Sequence, residues 1–112
     1  MSPTARSARV LAEEYVVQVN ARDLDSLLAL FAADAQVKHP VGSFTGYEEI
    51  RGFYAQHVLA HGPTVIATSW VEQGPDCVFE MEARLGDHVS YAIDRLTAAV
   101  DGHIQRLAIY YR

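Results

Sequence analysis

Cys77-Val78-Phe79-Glu80-Met81-Glu82-Ala83-Arg84-Leu85-Gly86-Asp87-His88 is the stretch whose reading decides the fold. Phe79, Met81, Ala83 and Leu85 fall on one side, and Glu80, Glu82 and Arg84 on the other. Such period-two alternation belongs to a strand with one packed face and one wet face. Gly86-Asp87 is turn chemistry, and the chain runs back from His88 to Ala99, so the two strands pair antiparallel. Asp101-Gly102 turns it again, and His103 to Arg112 is the last strand. Upstream, Thr64 to Glu72 reads as a strand joined through Gly74-Pro75-Asp76.

The N-terminal half is helical by the same reasoning. A first helix is expected from near Pro3–Thr4, with Thr4 as N-cap, to about Ala21. Leu11, Tyr15 and Val19 recur every four residues and share its packed face. Asp23 caps a short second helix, Leu24 to Phe31. Ala35 to His39 alternates and reads as a strand. A third helix starts near Tyr47, after Gly46, ends by Gly62-Pro63, and lines one side with Ile50, Phe53, Tyr54, His57 and Val58. The predicted order is α-α-β-α-β-β-β-β, an α+β class. A cone-shaped, curved, mostly antiparallel sheet wraps three N-terminal helices around a central apolar pocket, with residues 1–112 forming a single domain.

Composition narrows the function classes. The chain has 112 residues, 50% of them hydrophobic, and a net charge of −5. A negative chain without a basic cluster is not built for nucleic acid, whose binding rests on Lys and Arg against phosphate. No apolar run approaches the roughly 20 residues of a membrane span, and Glu13-Glu14 interrupts any signal-peptide core. A soluble cytoplasmic protein is expected. The single cysteine, Cys77, lies in an apolar strand pattern and reads as a buried, inert thiol.

Strand alternation singles out the polar candidates. His39 shares the inward face with Val37, opposite Gln36 and Lys38, and Pro40 biases it towards an extended backbone at the strand's end. It is either a pocket imidazole or a satisfied rim histidine without chemistry. Asp94 and Arg95 are neighbours inside an apolar strand, so one of them faces inward. Arg95 reaches water more cheaply, which leaves Asp94 inside, protonated or paired. The alternative is an outward Asp94 in a cross-strand ion pair. Tyr15, Tyr54 and Tyr111 each need a hydroxyl partner if buried. Trp70 reads as core or dimer interface. His57 and His61 have ligand spacing, but no third ligand is near in sequence, so no metal is expected.

The run Asn20-Ala21-Arg22-Asp23-Leu24-Asp25-Ser26-Leu27-Leu28-Ala29-Leu30-Phe31-Ala32-Ala33-Asp34-Ala35-Gln36-Val37-Lys38-His39-Pro40-Val41-Gly42 resembles the helix–strand–Pro-x-Gly segment of SnoaL-like and ketosteroid isomerase-like proteins. Gly46-Tyr47-Glu48-Glu49-Ile50-Arg51-Gly52-Phe53-Tyr54 is similar to that family's Gly-x-x-x-Ile-x-x-Phe-Tyr helix, and Asp101-Gly102-His103-Ile104 to its last hairpin. The resemblance implies the nuclear transport factor two-like fold, and residue by residue the match to bacterial ketosteroid isomerase goes further than the fold alone would require. In that enzyme a tyrosine and an aspartic acid donate hydrogen bonds to a developing oxyanion, and Tyr15 and Asp94 stand at the matching positions. Tyr54 matches the tyrosine supporting the first. Tyr111 stands where some members carry a pocket tryptophan, and Phe31 replaces a supporting tyrosine. His39 stands where the family has its aspartate general base.

By resemblance, then, the chain is expected to be an isomerase of β,γ-unsaturated, steroid-like ketones, with Tyr15, His39 and Asp94 catalytic. Phe31, Tyr54, Phe79, Met81 and Tyr111 line the substrate. The implied substrate is a small hydrophobic carbonyl compound, no cofactor is called for, and a homodimer through the outer sheet face is expected. The alternatives are a cyclase, dehydratase or epoxide hydrolase, or a binding domain without catalysis.

Overall fold

The computed structural model describes residues 7–60 and 62–111. The chain builds helix α1 (Ala8–Ala21), helix α2 (Leu24–Leu28), strand β1 (Phe31–His39), strand β2 (Gly42–Thr45) and helix α3 (Gly46–Phe53). Helix α3 runs on as a π-helical segment, Tyr54–Leu59. Strands β3 (Thr64–Gln73), β4 (Asp76–Leu85), β5 (His88–Ala98) and β6 (Ile104–Tyr111) complete it. The strands form one curved sheet in the order β2-β1-β6-β5-β4-β3. Neighbours pair antiparallel except β1 and β6, which are parallel.

Helix α1 starts where Ser7 accepts the Val10 N–H at 3.1 Å, a cap of the expected chemistry. The proposed Thr4 cap lies outside the described residues. Ala8, Leu11, Ala12, Tyr15 and Val19 form its buried stripe. Near its end, Asn20 donates to the Val65 carbonyl at 2.9 Å and accepts the Val65 N–H at 2.8 Å. The Asn20 amide thereby ties the helix to edge strand β3 by mimicking a strand partner. Asp23 caps α2 as expected, accepting the Ser26 N–H.

Two elements differ from the sequence expectation. Helix α2 stops at Leu28, and Phe31 opens β1. The Leu30 carbonyl accepts the Ile104 N–H at 2.7 Å, and Phe31 pairs with Ile104. Sheet pairing thus takes backbone groups that a helix would have used. Strand β2 was not anticipated. It is four residues long, follows a two-residue Pro40-Val41 turn, and holds the sheet's edge by pairing Phe44 with Val37.

The alternation arguments hold. In β1, Ala35 and Val37 are buried while Gln36 and Lys38 are exposed, and in β5, Ala92, Asp94 and Leu96 are buried while Ile93 and Arg95 are exposed. In β4, Cys77, Phe79 and Met81 face in, but the pattern fades towards the hairpin, where Leu85 is exposed. Trp70 is half-buried, stacked on Phe79 with ring centroids 5.1 Å apart, and covered by the Arg9 guanidinium. Cys77 is buried, and burial, its largest influence, pushes its thiol pKa up.

Candidate active site

The site is assembled from α1, the π-helical segment and the inner faces of β4, β5 and β6. Asp94 sits mid-strand between cross-strand neighbours Phe79 of β4 and Ile109 of β6. It is 0% exposed, and neither carboxyl oxygen has a hydrogen-bond partner among the described residues. Burial alone pushes its pKa up to about 8, because a charge there would be neither hydrated nor paired. At neutral pH Asp94 is therefore a neutral acid with one O–H to donate. Arg95 leaves by the outer face and pairs with Asp76 at 2.8 Å.

Tyr15 reaches the same space from α1. Its hydroxyl lies 2.8 Å from the Tyr54 hydroxyl, and burial first, then the neighbouring Tyr54 and Asp94, hold its pKa well above the usual phenol value. If Tyr54 donates to Tyr15, the Tyr15 proton is released towards a ligand. Tyr15, Asp94, Tyr111, Met81, Ile109 and His57 wall a cavity of about 80 Å³. It is small beside the roughly 300–1,000 Å³ of ordinary small-molecule pockets. Asp94 and Tyr15 form its buried end, and Tyr111 (52% exposed) and His57 its solvent end.

His39 ends β1 half-buried at the rim, its ring 4.9 Å from that of Phe53. Its Nδ1 accepts the Val41 N–H at 3.1 Å, and its Nε2 lies 3.0 Å from the Tyr111 hydroxyl. A backbone N–H can only donate, so Nδ1 carries the lone pair and Nε2 the proton of the neutral ring. Nε2–H then donates to Tyr111, whose own proton is free to point elsewhere. Burial first, then the neighbouring His57, lowers the His39 pKa.

Of the residues the sequence singled out, Tyr15, Asp94, Met81 and Tyr111 meet in the cavity wall. Phe31, Tyr54 and Phe79, expected as substrate contacts, stand behind it. Tyr54 packs edge-on against Tyr15 and tilted against Phe31, and Phe79 packs edge-on against Tyr15, so these rings brace the wall. His39 is not part of the cavity wall and reaches it through its contact with Tyr111 and, by way of Phe53, through His57. His57 also lines the wall, a residue that the sequence weighed only as a metal ligand paired with His61. Its helical spacing with Phe53 and Tyr54 was visible, but only the fold brings that face to the cavity. Its spacing partner His61 lies outside the described residues. Among the described residues no cluster of three His, Cys, Asp or Glu could hold a metal ion.

Several solved structures share this architecture. A Kribbella flavida protein named as a candidate ketosteroid isomerase is similar over 94% of this chain and 77% of its own, at 23% identity and a TM-score of 0.83. A computationally designed 17-OHP binder is similar over 97% of this chain and 93% of its own, at 19% identity and a TM-score of 0.82. An epoxide hydrolase/cyclase-like enzyme of pyran ring formation in the polyether salinomycin is similar over 94% and 90%, at 19% identity and a TM-score of 0.82. At such identities the likeness speaks for the fold, which is nuclear transport factor two-like. The sequence itself matches the SnoaL-like domain over residues 12–107, and the chain belongs to that family.

Proposed function

We propose that the protein binds a small ketone by its oxygen and shifts a β,γ double bond into conjugation through an enolate. One observation carries this reading: the fully buried carboxyl of Asp94, without a hydrogen-bond partner among the described residues, in the same cavity wall as Tyr15. Leaving a buried acid without a partner costs stability, and a ligand oxygen is the acceptor that such an O–H lacks. Two neutral donors gain most when the oxygen becomes negative, so they favour the enolate over the ketone. The carbonyl end occupies the buried hollow, and the body of a larger ketone, steroid-like ones included, extends past Tyr111 and His57. An imidazole takes the proton. By resemblance the sequence points to His39 for this role, although its Nδ1 is engaged by the Val41 N–H.

The same donors would also suit water elimination, cyclisation or epoxide opening, the last two being the kind of chemistry named for one structural neighbour. A binding domain is the second reading, favoured because both nitrogens of His39 are engaged. The cytoplasm suits a chain whose one cysteine is a buried thiol. Exposed Val78, Tyr91, Ile93 and Tyr110 on the outer sheet face suit a homodimer there.

Conversion of cyclohex-3-enone to its conjugated isomer, followed by ultraviolet absorbance, tests the isomerase. Phenol, an enolate mimic, tests the donors, with binding expected for the native protein and lost in Tyr15→Phe. Turnover of the enone supports the isomerase. Tight phenol binding with no turnover of any ketone refutes it in favour of the binder.

A further inference from the structure

We propose that His57, not His39, is the imidazole that meets the substrate, and that His39 is a positioning residue which holds Tyr111. The inference rests on the enolising reading above and assigns its proton carrier.

Both histidines pack against Phe53, whose ring centroid is 4.9 Å from His39 and 5.8 Å from His57. Their circumstances differ. His39 has a hydrogen bond at each nitrogen, and the backbone donor at Nδ1 fixes the proton on Nε2. To accept a proton it must first break the Val41 contact. His57 belongs to the cavity wall itself, with Asp94, Tyr15 and Tyr111. Among the described residues, no hydrogen bond engages either of its ring nitrogens. It also lies in the π-helical segment Tyr54–Leu59, and both His57 and Val58 of that segment line the cavity. Such departures from α geometry concentrate at functional positions.

The arrangement orders the chemistry along the cavity. A ketone oxygen at the buried end accepts from Tyr15 and Asp94, which places its α-carbon towards the mouth. There a C–H bond breaks. Its electron pair forms the enolate C=C as the carbonyl π pair moves to oxygen, and the proton joins the His57 lone pair. The imidazolium then returns that proton to the γ-carbon, and the electrons move back to restore the carbonyl beside the relocated double bond. Nε2–H of His39 donates to Tyr111, so the Tyr111 hydroxyl proton is available on the cavity side, at the mouth.

Paired substitutions separate the roles. His57→Gln, at an exposed position where folding is expected to survive and a thermal melt checks it, should lower kcat/KM for cyclohex-3-enone by about a hundredfold or more, the usual range for a lost acid–base group. His39→Gln retains an N–H donor near the Nε2 position but no basic nitrogen, so it should keep most of the activity that His39→Ala loses. A second readout is independent of turnover: saturating phenol should move the His57 ring-proton resonance in NMR more than that of His39. An active native enzyme whose His57→Gln variant is equally active, or a His57 resonance indifferent to phenol, overturns the assignment of His57. An inactive native protein refutes the isomerase reading, and the base role with it, even if phenol moves His57.

Discussion

Asp94→Asn isolates the energetic consequence of a buried neutral acid. The exchange keeps shape and volume but removes the titration. In the native protein the carboxyl ionises near pH 8, against 3.8 for an unperturbed group. Below pH 3.8 the group is protonated in both folded and unfolded chains and adds no pH dependence. Between 3.8 and about 8 the unfolded chain gives up the proton and the folded one keeps it. The unfolded state then binds fewer protons, and stability falls as pH rises, by roughly 1.4 kcal/mol per pH unit. By pH 7 the accumulated cost is about 4 kcal/mol, an upper bound because some water relieves any real cavity. The assay is urea denaturation of both proteins from pH 4 to pH 9. Groups common to both cancel in the difference, so Asp94→Asn should gain on the native protein steadily up to about pH 8 and then level off. Parallel curves across that range would show that Asp94 is not held neutral, and the oxygen-binding argument would fall with it.

Tyr54→Phe removes the partner that orients the Tyr15 hydroxyl and should weaken phenol binding by about 1 kcal/mol, the value of one hydrogen bond, measurable by titration calorimetry. Asn20→Ala strips both backbone groups of Val65 of their partner and should cost about 1–3 kcal/mol, with early loss of amide-exchange protection in β3. A neutral His39 accepts the Val41 N–H, whereas a protonated ring cannot. Because its folded pKa is lowered, the unfolded chain binds more protons as pH drops below about 6.5. The native protein should therefore lose stability on acidification through that window more than His39→Gln does, read from melts at pH 7.5 and pH 5.

The strands after Thr64 were legible because alternation and short turns are local properties. Phe79 and Met81 face in and Glu80 faces out wherever the strand goes, and Asp94 and Arg95 part for the same reason. Helix α1 and its Tyr15 stripe were legible by helical period. The end of α2 was not, since Leu27 to Phe31 is almost continuously apolar and carries no period, and the parallel pairing with Ile104 more than 70 residues away settled it. Strand β2 is too short to show alternation on its own and exists through its pairing with β1.

Sequence alone determined that Asp94 and Arg95 face opposite ways and that Tyr15 shares the packed stripe of the first helix, because side-chain direction follows from backbone period; the fold decided that Asp94 is the inward one. Tertiary structure decided what those inward groups meet. It placed Phe31, Tyr54 and Phe79 behind the wall, engaged both nitrogens of His39, and brought His57 to the cavity. Those outcomes depend on how the sheet curves over the helices. Such contacts join residues distant along the chain, and no local pattern encodes them.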